Sequence, residues 1–146
     1  MTTLGNLTLR PAASSDAERI AELFTDEGYP VGPTVLEARL ARFDAPGSRV
    51  IVGDVDGTIV GFVALHAIPR FEHDDVAVRV LALVVDAGAR ERGVGRLLMA
   101  EVERIAGELD AGFIEVTAGH HRPDARRLYE SLGYDAGLTA YLRKRR

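Results

Sequence analysis

The stretch from Val76 to Thr117 constrains the fold of this chain more than any other. Val76 to Val85 is apolar except for Arg79, and such a run reads as a central strand covered on both faces. A glycine-containing turn follows. From Gly93 to Leu109 the residues Leu98, Val102, Ile105 and Leu109 recur at spacings of four, three and four, while Glu101, Glu103, Arg104 and Glu108 fall elsewhere. That is the period of a helix with one buried stripe. Phe113 to Thr117 returns to strand character. Strand, helix and strand in this order form a β-α-β crossover, with parallel strands and a right-handed connection.

The flanking segments complete a sheet. Leu7 and Leu9 alternate with polar neighbours before Arg10-Pro11, which predicts a first strand. Ser14 or Ser15 can cap a helix carrying Ile20, Leu23 and Phe24 on one face and ending near Gly28-Tyr29-Pro30. A second helix is expected from about Thr34 to Phe43, closed by Pro46-Gly47. Arg49 to Gly53 and Thr58 to Leu65 are β-rich runs joined by Asp54-Val55-Asp56-Gly57, the pattern of an antiparallel hairpin. Beyond the crossover, a short helix from about Pro123 to Leu132 stops at Gly133, and Ala136 to Leu142 supplies a last strand. The expectation is one α/β domain over residues 1–146: a mixed sheet of six to seven strands flanked by about four helices, with one parallel step at its centre.

Composition supports a packed domain and removes several chemistries. The chain has 146 residues, 47% of them apolar, enough to bury a core without staples. It has no cysteine, which excludes disulfides, thiolate nucleophiles and cysteine-ligated zinc. A net charge of -4 argues against a general nucleic-acid partner. Met1 to Arg10 holds no long apolar run behind a basic start, so a soluble cytoplasmic protein with no membrane partner is expected. His120 and His121 are adjacent and diverge in an extended segment, and no His-Glu-x-x-His arrangement occurs, so no metal site is expected. A serine hydrolase is poorly supported, since Gly-x-Ser-x-Gly is missing.

The chemistry concentrates at the strand-to-helix junction Arg90-Glu91-Arg92-Gly93-Val94-Gly95-Arg96. Glycines let the backbone turn tightly and aim successive N–H groups into one concavity, and the helix that begins there leaves its first N–H groups unpaired. Such a site takes phosphate, with arginines adding charge-assisted contacts. The plainer alternative is a close turn with solvated arginines. A dinucleotide fingerprint needs a third glycine where Leu98 stands, and a nucleoside-triphosphate loop needs Gly-Lys-Ser/Thr, which the chain lacks.

At these residues the chain resembles the GNAT family of N-acetyltransferases. The family's signature, Arg/Gln-x-x-Gly-x-Gly/Ala after a central strand, is present as Arg90, Gly93 and Gly95 behind Leu83-Val84-Val85. A second feature, Ala125-Arg-Arg-Leu128-Tyr129-Glu-Ser-Leu-Gly133-Tyr134, is similar to the family's C-terminal motif, and the order of elements matches over essentially the whole chain. The resemblance implies an enzyme that transfers an acetyl group directly from acetyl-CoA to a primary amine of a small molecule. A protein or peptide acceptor, or a non-catalytic acyl-CoA-binding module, are the alternatives. It implies that the backbone near Leu83, Val84 and Val85 holds the pantetheine arm like an added strand. It further implies that the N–H groups from Arg90 through Glu91, Arg92, Gly93, Val94 and Gly95, with Arg96 beside them, hold the pyrophosphate. Tyr129 stands where many members place the acid that protonates the departing thiolate. His120-His121-Arg122-Pro123-Asp124 departs from the common asparagine-led pattern, and Arg122 is a further candidate for the phosphates.

Other roles stay open. Ala125, Leu128, Tyr129 and Leu132 follow i, i+3, i+4, i+7 spacing, so Tyr129 also suits core packing. Glu27, His66, Glu72 and His73 are candidates for the base that takes a proton from the amine, each with a surface or structural role as its alternative. Glu27 to Pro33 and His66 to Asp75 are expected to form the acceptor wall, whose acidic residues suit a cationic amine. A homodimer is a further expectation, resting on the family resemblance and on the apolar segment around Leu138, Ala140 and Leu142.

Overall fold

The computed structural model describes residues 6–90, 92–117, 123–137 and 140–145. Among them one sheet runs β1-β2-β3-β4-β5, formed by β1 Leu7–Pro11, β2 Ser48–Val55, β3 Thr58–Pro69, β4 Val76–Val85 and β5 Phe113–Val116. The pairings are antiparallel as far as β4, and β4–β5 is the parallel step. The hairpin between β2 and β3 turns at Asp56 (φ 52°) and Gly57 (φ 90°), two left-handed residues whose twist matches that of the strands they join.

Helices cover both faces. They are α1 Ala17–Asp26, α2 Pro33–Arg42, α3 Val94–Glu108 and α4 Pro123–Ser131. The stripe read from α3's sequence is its buried face: Val94, Leu98, Met99, Val102 and Ile105 pack with Ile51, Val63, Leu65, Val78 and Val80. On the opposite face Ile20, Leu23 and Leu36 of α1 and α2 pack with Val52, Phe62 and Val84. Each such fully buried side chain contributes about 1.5–3 kcal/mol. No helix among the described residues is long and apolar enough to cross a membrane.

Two expectations need correction. The sheet has five strands among the described residues rather than six or seven. The final strand placed at Ala136 to Leu142 does not form at its described positions, and Tyr141 and Leu142 are exposed; Leu138 and Thr139 lie outside the described residues. Alternating apolar residues gain nothing from extended pairing unless a sheet face is there to bury them. The first helix is entered differently as well. Ser14 and Ser15 lie inside a 3₁₀ turn, and Asp16 satisfies the chain entry by accepting from the Ala13 N–H at 2.7 Å. Asp16 is buried, and Arg10 donates to both its oxygens, at 2.8 and 3.0 Å.

Candidate functional site

β4 is regular only in its first half. Ala77, Val78, Arg79 and Val80 pair with Phe113, Ile114, Glu115 and Val116, and the pairing ends there. Past Val80, β4 keeps β3 on one side and has no strand on the other among the described residues. Its register with β3 also breaks at that level: Leu65 faces Val80 and Ala64 faces Ala82, which leaves Leu81 unopposed. This bulge turns Leu81 outward to 50% exposure, so β4 is not covered on both faces along its whole length as its composition implied. The segment from Leu81 to Val85 therefore offers free backbone groups along one edge, the kind of edge to which an amide-bearing chain adds as a strand.

The turn after β4 closes in short steps. The Asp86 N–H donates to the Val60 carbonyl at 2.8 Å, a 3₁₀ turn spans Ala87–Ala89, and Gly93 opens α3 with φ 89° and ψ 9°. That left-handed conformation is why glycine is required at Gly93. Among the described residues no side chain caps α3, which leaves its first N–H groups available for an anion. Gly95 serves a different need. A Cβ there would lie 3.1 Å from Leu128 Cδ2 and 3.7 Å from Val85 Cγ2, so its bareness lets α4 rest on the first turn of α3. Arg96 reinforces that contact by donating to the Ser131 hydroxyl at 2.9 Å.

The remaining cofactor candidates separate by environment. The Val94 side chain is buried in the core, leaving only its backbone to a ligand. Arg92 is exposed and makes no hydrogen bond among the described residues. Arg90 folds back, with Nε donating to the Val85 carbonyl at 3.3 Å and Nη2 to Glu27 Oε2 at 2.6 Å. Leu83 and Val85 face the α3 side of the sheet and Val84 faces the α1 side. Glu91 and Arg122 lie outside the described residues.

Tyr129 is buried in the cluster that holds Val80, Leu98 and Val102, and Leu83, Val85 and Val116 pack against the same cluster. It therefore has the packing role its spacing allowed. Its ring lies 6.1 Å from that of Tyr134, whose buried hydroxyl has no hydrogen-bond partner among the described residues. Burial, with the charge of Glu103 and the neighbouring Tyr129 adding to it, pushes the Tyr134 phenol up to about 12.

The candidate bases do not converge. Glu27, at the C-terminal end of α1, sits beside Arg90. Glu72 and His73 are exposed in the loop before β4, at the opposite end of that strand. Ten residues of β4 put roughly 30 Å between the two ends. The two halves expected to form one acceptor wall are thus apart. His66 lies between them, opposite Arg79 in the sheet, with Nδ1 2.8 Å from the Ser48 hydroxyl. Sequence reasoning missed the Leu81 bulge, for which the strand's composition holds no signal, and the contacts that Arg19 of α1 makes with the turn, at Asp86 and the Ile59 carbonyl. No cluster of metal-ligating side chains occurs among the described residues.

Residues 17–134 match the model of the acetyltransferase (GNAT) family, and the chain belongs to that family of enzymes. It is 30% identical to the uncharacterized N-acetyltransferase YhfO of Bacillus subtilis (strain 168), over 92% of this chain and 95% of the relative. Two solved structures share the fold. A ribosomal-protein-alanine N-acetyltransferase from Brucella melitensis has a TM-score of 0.82 at 22% identity, over 94% of this chain and 98% of that one. An aminoglycoside N-acetyltransferase, AAC(6')-Iy, in complex with CoA, has a TM-score of 0.82 at 18% identity, over 96% and 95%.

Proposed function

We propose that the protein transfers an acetyl group from acetyl-CoA directly to the primary amine of a small molecule. The observation that carries this reading is the succession, on one strand-turn-helix, of a backbone edge from Leu81 to Val85 and a helix start at Gly93 that are unpaired and uncapped among the described residues. The edge suits the amide-rich pantetheine arm. The helix start, with Arg92 beside it, suits the pyrophosphate. That a protein with the same fold has been solved in complex with CoA supports CoA as the kind of ligand.

In the reaction the neutral amine nitrogen bonds to the thioester carbonyl carbon, the carbon–sulfur bond breaks and the thiolate leaves, while the nitrogen gives up a proton to water and the thiolate takes one up. Backbone N–H groups of the β4 edge are available to orient the thioester. Tyr129, buried in the core cluster against which Leu83 and Val85 pack, is the residue we assign to stabilise or protonate the thiolate. The fold alone does not select the acceptor, since the same architecture serves a ribosomal-protein enzyme and an aminoglycoside enzyme. The exposed Tyr141 and Leu142 support a homodimer, which a strictly monomeric mass by light scattering at micromolar concentration would refute.

Calorimetric titration with acetyl-CoA and a CoA-release assay across an amine panel test this reading. Tyr129→Phe is expected to lower the transfer rate by roughly 10- to 10⁴-fold with acetyl-CoA affinity and thermal stability nearly unchanged. Transfer at the parental rate in a pre-steady-state measurement would leave Tyr129 as a packing residue only.

A further inference from the structure

We propose that Glu27 is a positioning residue for the donor site, acting through Arg90 from the opposite side of the sheet. The inference rests on the donor-site reading above. α1 packs on the sheet face away from α3, yet two of its side chains reach around to the turn between β4 and α3. Arg19 holds the start of the turn: it donates to the Ile59 carbonyl and to Asp86 Oδ2, both at 3.0 Å. Asp86 in turn accepts from the Gly88 N–H at 3.4 Å. Glu27 holds the end of the turn through Arg90, at 2.6 Å.

The two ion pairs differ in setting. The Glu27 side chain is only 11% exposed, while Arg90 is 42% exposed and also donates to the Val85 carbonyl. A carboxylate so far withdrawn from water leaves a larger cost when its partner is lost than a surface pair does. Arg90 is thereby committed to the turn's own shape. Arg92, exposed and without a hydrogen bond among the described residues, is the arginine left to face a phosphate. The first arginine of the motif works as a bracket and the second as a charge.

Two opposite outcomes are open to Glu27→Gln, and their sign decides the matter. A bracket that is weakened lets the turn loosen, and acetyl-CoA binding weakens. A carboxylate that merely competes for Arg90 would, once neutralised, free the guanidinium and tighten binding.

The experiment is a double-mutant cycle with Glu27→Gln and Arg90→Gln, read by calorimetric titration with acetyl-CoA and by amide hydrogen exchange over residues 86–93. Glu27→Gln is expected to raise the acetyl-CoA Kd roughly 3- to 10-fold and to speed exchange in that segment. It should leave kcat at saturation and its pH profile nearly parental. In the Arg90→Gln background it should add little. An unchanged or tighter Kd in Glu27→Gln overturns the inference, as does an equal loss in both backgrounds. Loss of kcat with an altered pH profile and unchanged Kd would make Glu27 a proton acceptor instead and overturn it too. A parental protein that binds no acetyl-CoA refutes the donor-site reading itself, and this inference falls with it.

Discussion

Replacing Gly93 separates the backbone requirement of the turn from its role toward a ligand. A Cβ at this position would meet nothing within 4 Å, so no packing clash contributes. What a side chain meets is the conformation, φ 89° and ψ 9°. The left-handed region costs an L-residue about 1–2 kcal/mol, and a strained β-branched residue up to about 3 kcal/mol. Loss of glycine's freedom in the unfolded chain offsets about 0.4–1 kcal/mol. Gly93→Val should therefore destabilise by about 0.5–2 kcal/mol, a fall of roughly 2–8 °C in Tm for a domain of this size. Gly93→Asn, whose side chain tolerates the left-handed region, should lose less than half as much. Both variants place a side chain over the first N–H groups of α3, so both should weaken acetyl-CoA binding. Thermal unfolding followed by circular dichroism and calorimetric titration measure the two effects. A Gly93→Val protein that melts at the parental temperature refutes the conformational argument. A Gly93→Asn protein with parental Kd refutes the placement of the pyrophosphate.

Gly95→Val should drive Leu128 and α4 away from α3, costing about 1–3 kcal/mol and slowing transfer through displacement of Tyr129, whereas Gly95→Ala should change stability by less than about 1 kcal/mol; denaturant midpoints and initial rates measure both. The hydrogen bonds from Arg10 hold the Asp16 carboxyl below its ordinary pKa against the opposing effect of burial, so its stabilisation is present above about pH 4 and is lost as pH falls through the depressed value. Asp16→Asn should cost about 1–3 kcal/mol at pH 7 and flatten the acid limb of the stability curve, and an acid limb of parental steepness would exclude this role. The Tyr134 phenol, pushed up to about 12 by burial, Glu103 and Tyr129, favours the folded state's proton, so stability should be full below about pH 10 and decline between there and pH 12. Tyr134→Phe should remove that alkaline decline without loss at pH 7, because the hydroxyl it deletes has no partner among the described residues; an unchanged decline would locate the titration elsewhere.

The local elements follow from side-chain periodicity and turn chemistry, which act over a few residues. The α3 stripe, the Asp56-Gly57 hairpin, the parallel step from β4 to β5 and the glycine-led helix start are all legible in the chain. So is the division of labour between Gly93 and its flanking arginines, as far as residue type carries it. Long-range choices were not. Whether Arg90 faces a phosphate or turns back to Glu27 depends on where α1 lies, and sequence separates those residues by most of the sheet. Capping by Asp16 rather than by the serines depends on Arg10 arriving from β1 to offset the cost of burying a carboxylate. The bulge at Leu81 and the end of pairing at Val116 arise from how β3 and β5 register against β4, and an apolar run is consistent with either a regular or a broken strand. Sequence by itself determined the four helices, the first five strands and their order, and the family's chemical type, but not whether the segment after Ala136 would find a sheet face to join. Only tertiary structure decided where the pairing of β4 with β5 ends, that Arg90 turns to Glu27, and which candidate base lies near the turn after β4, because these are set by contacts between residues distant in the chain.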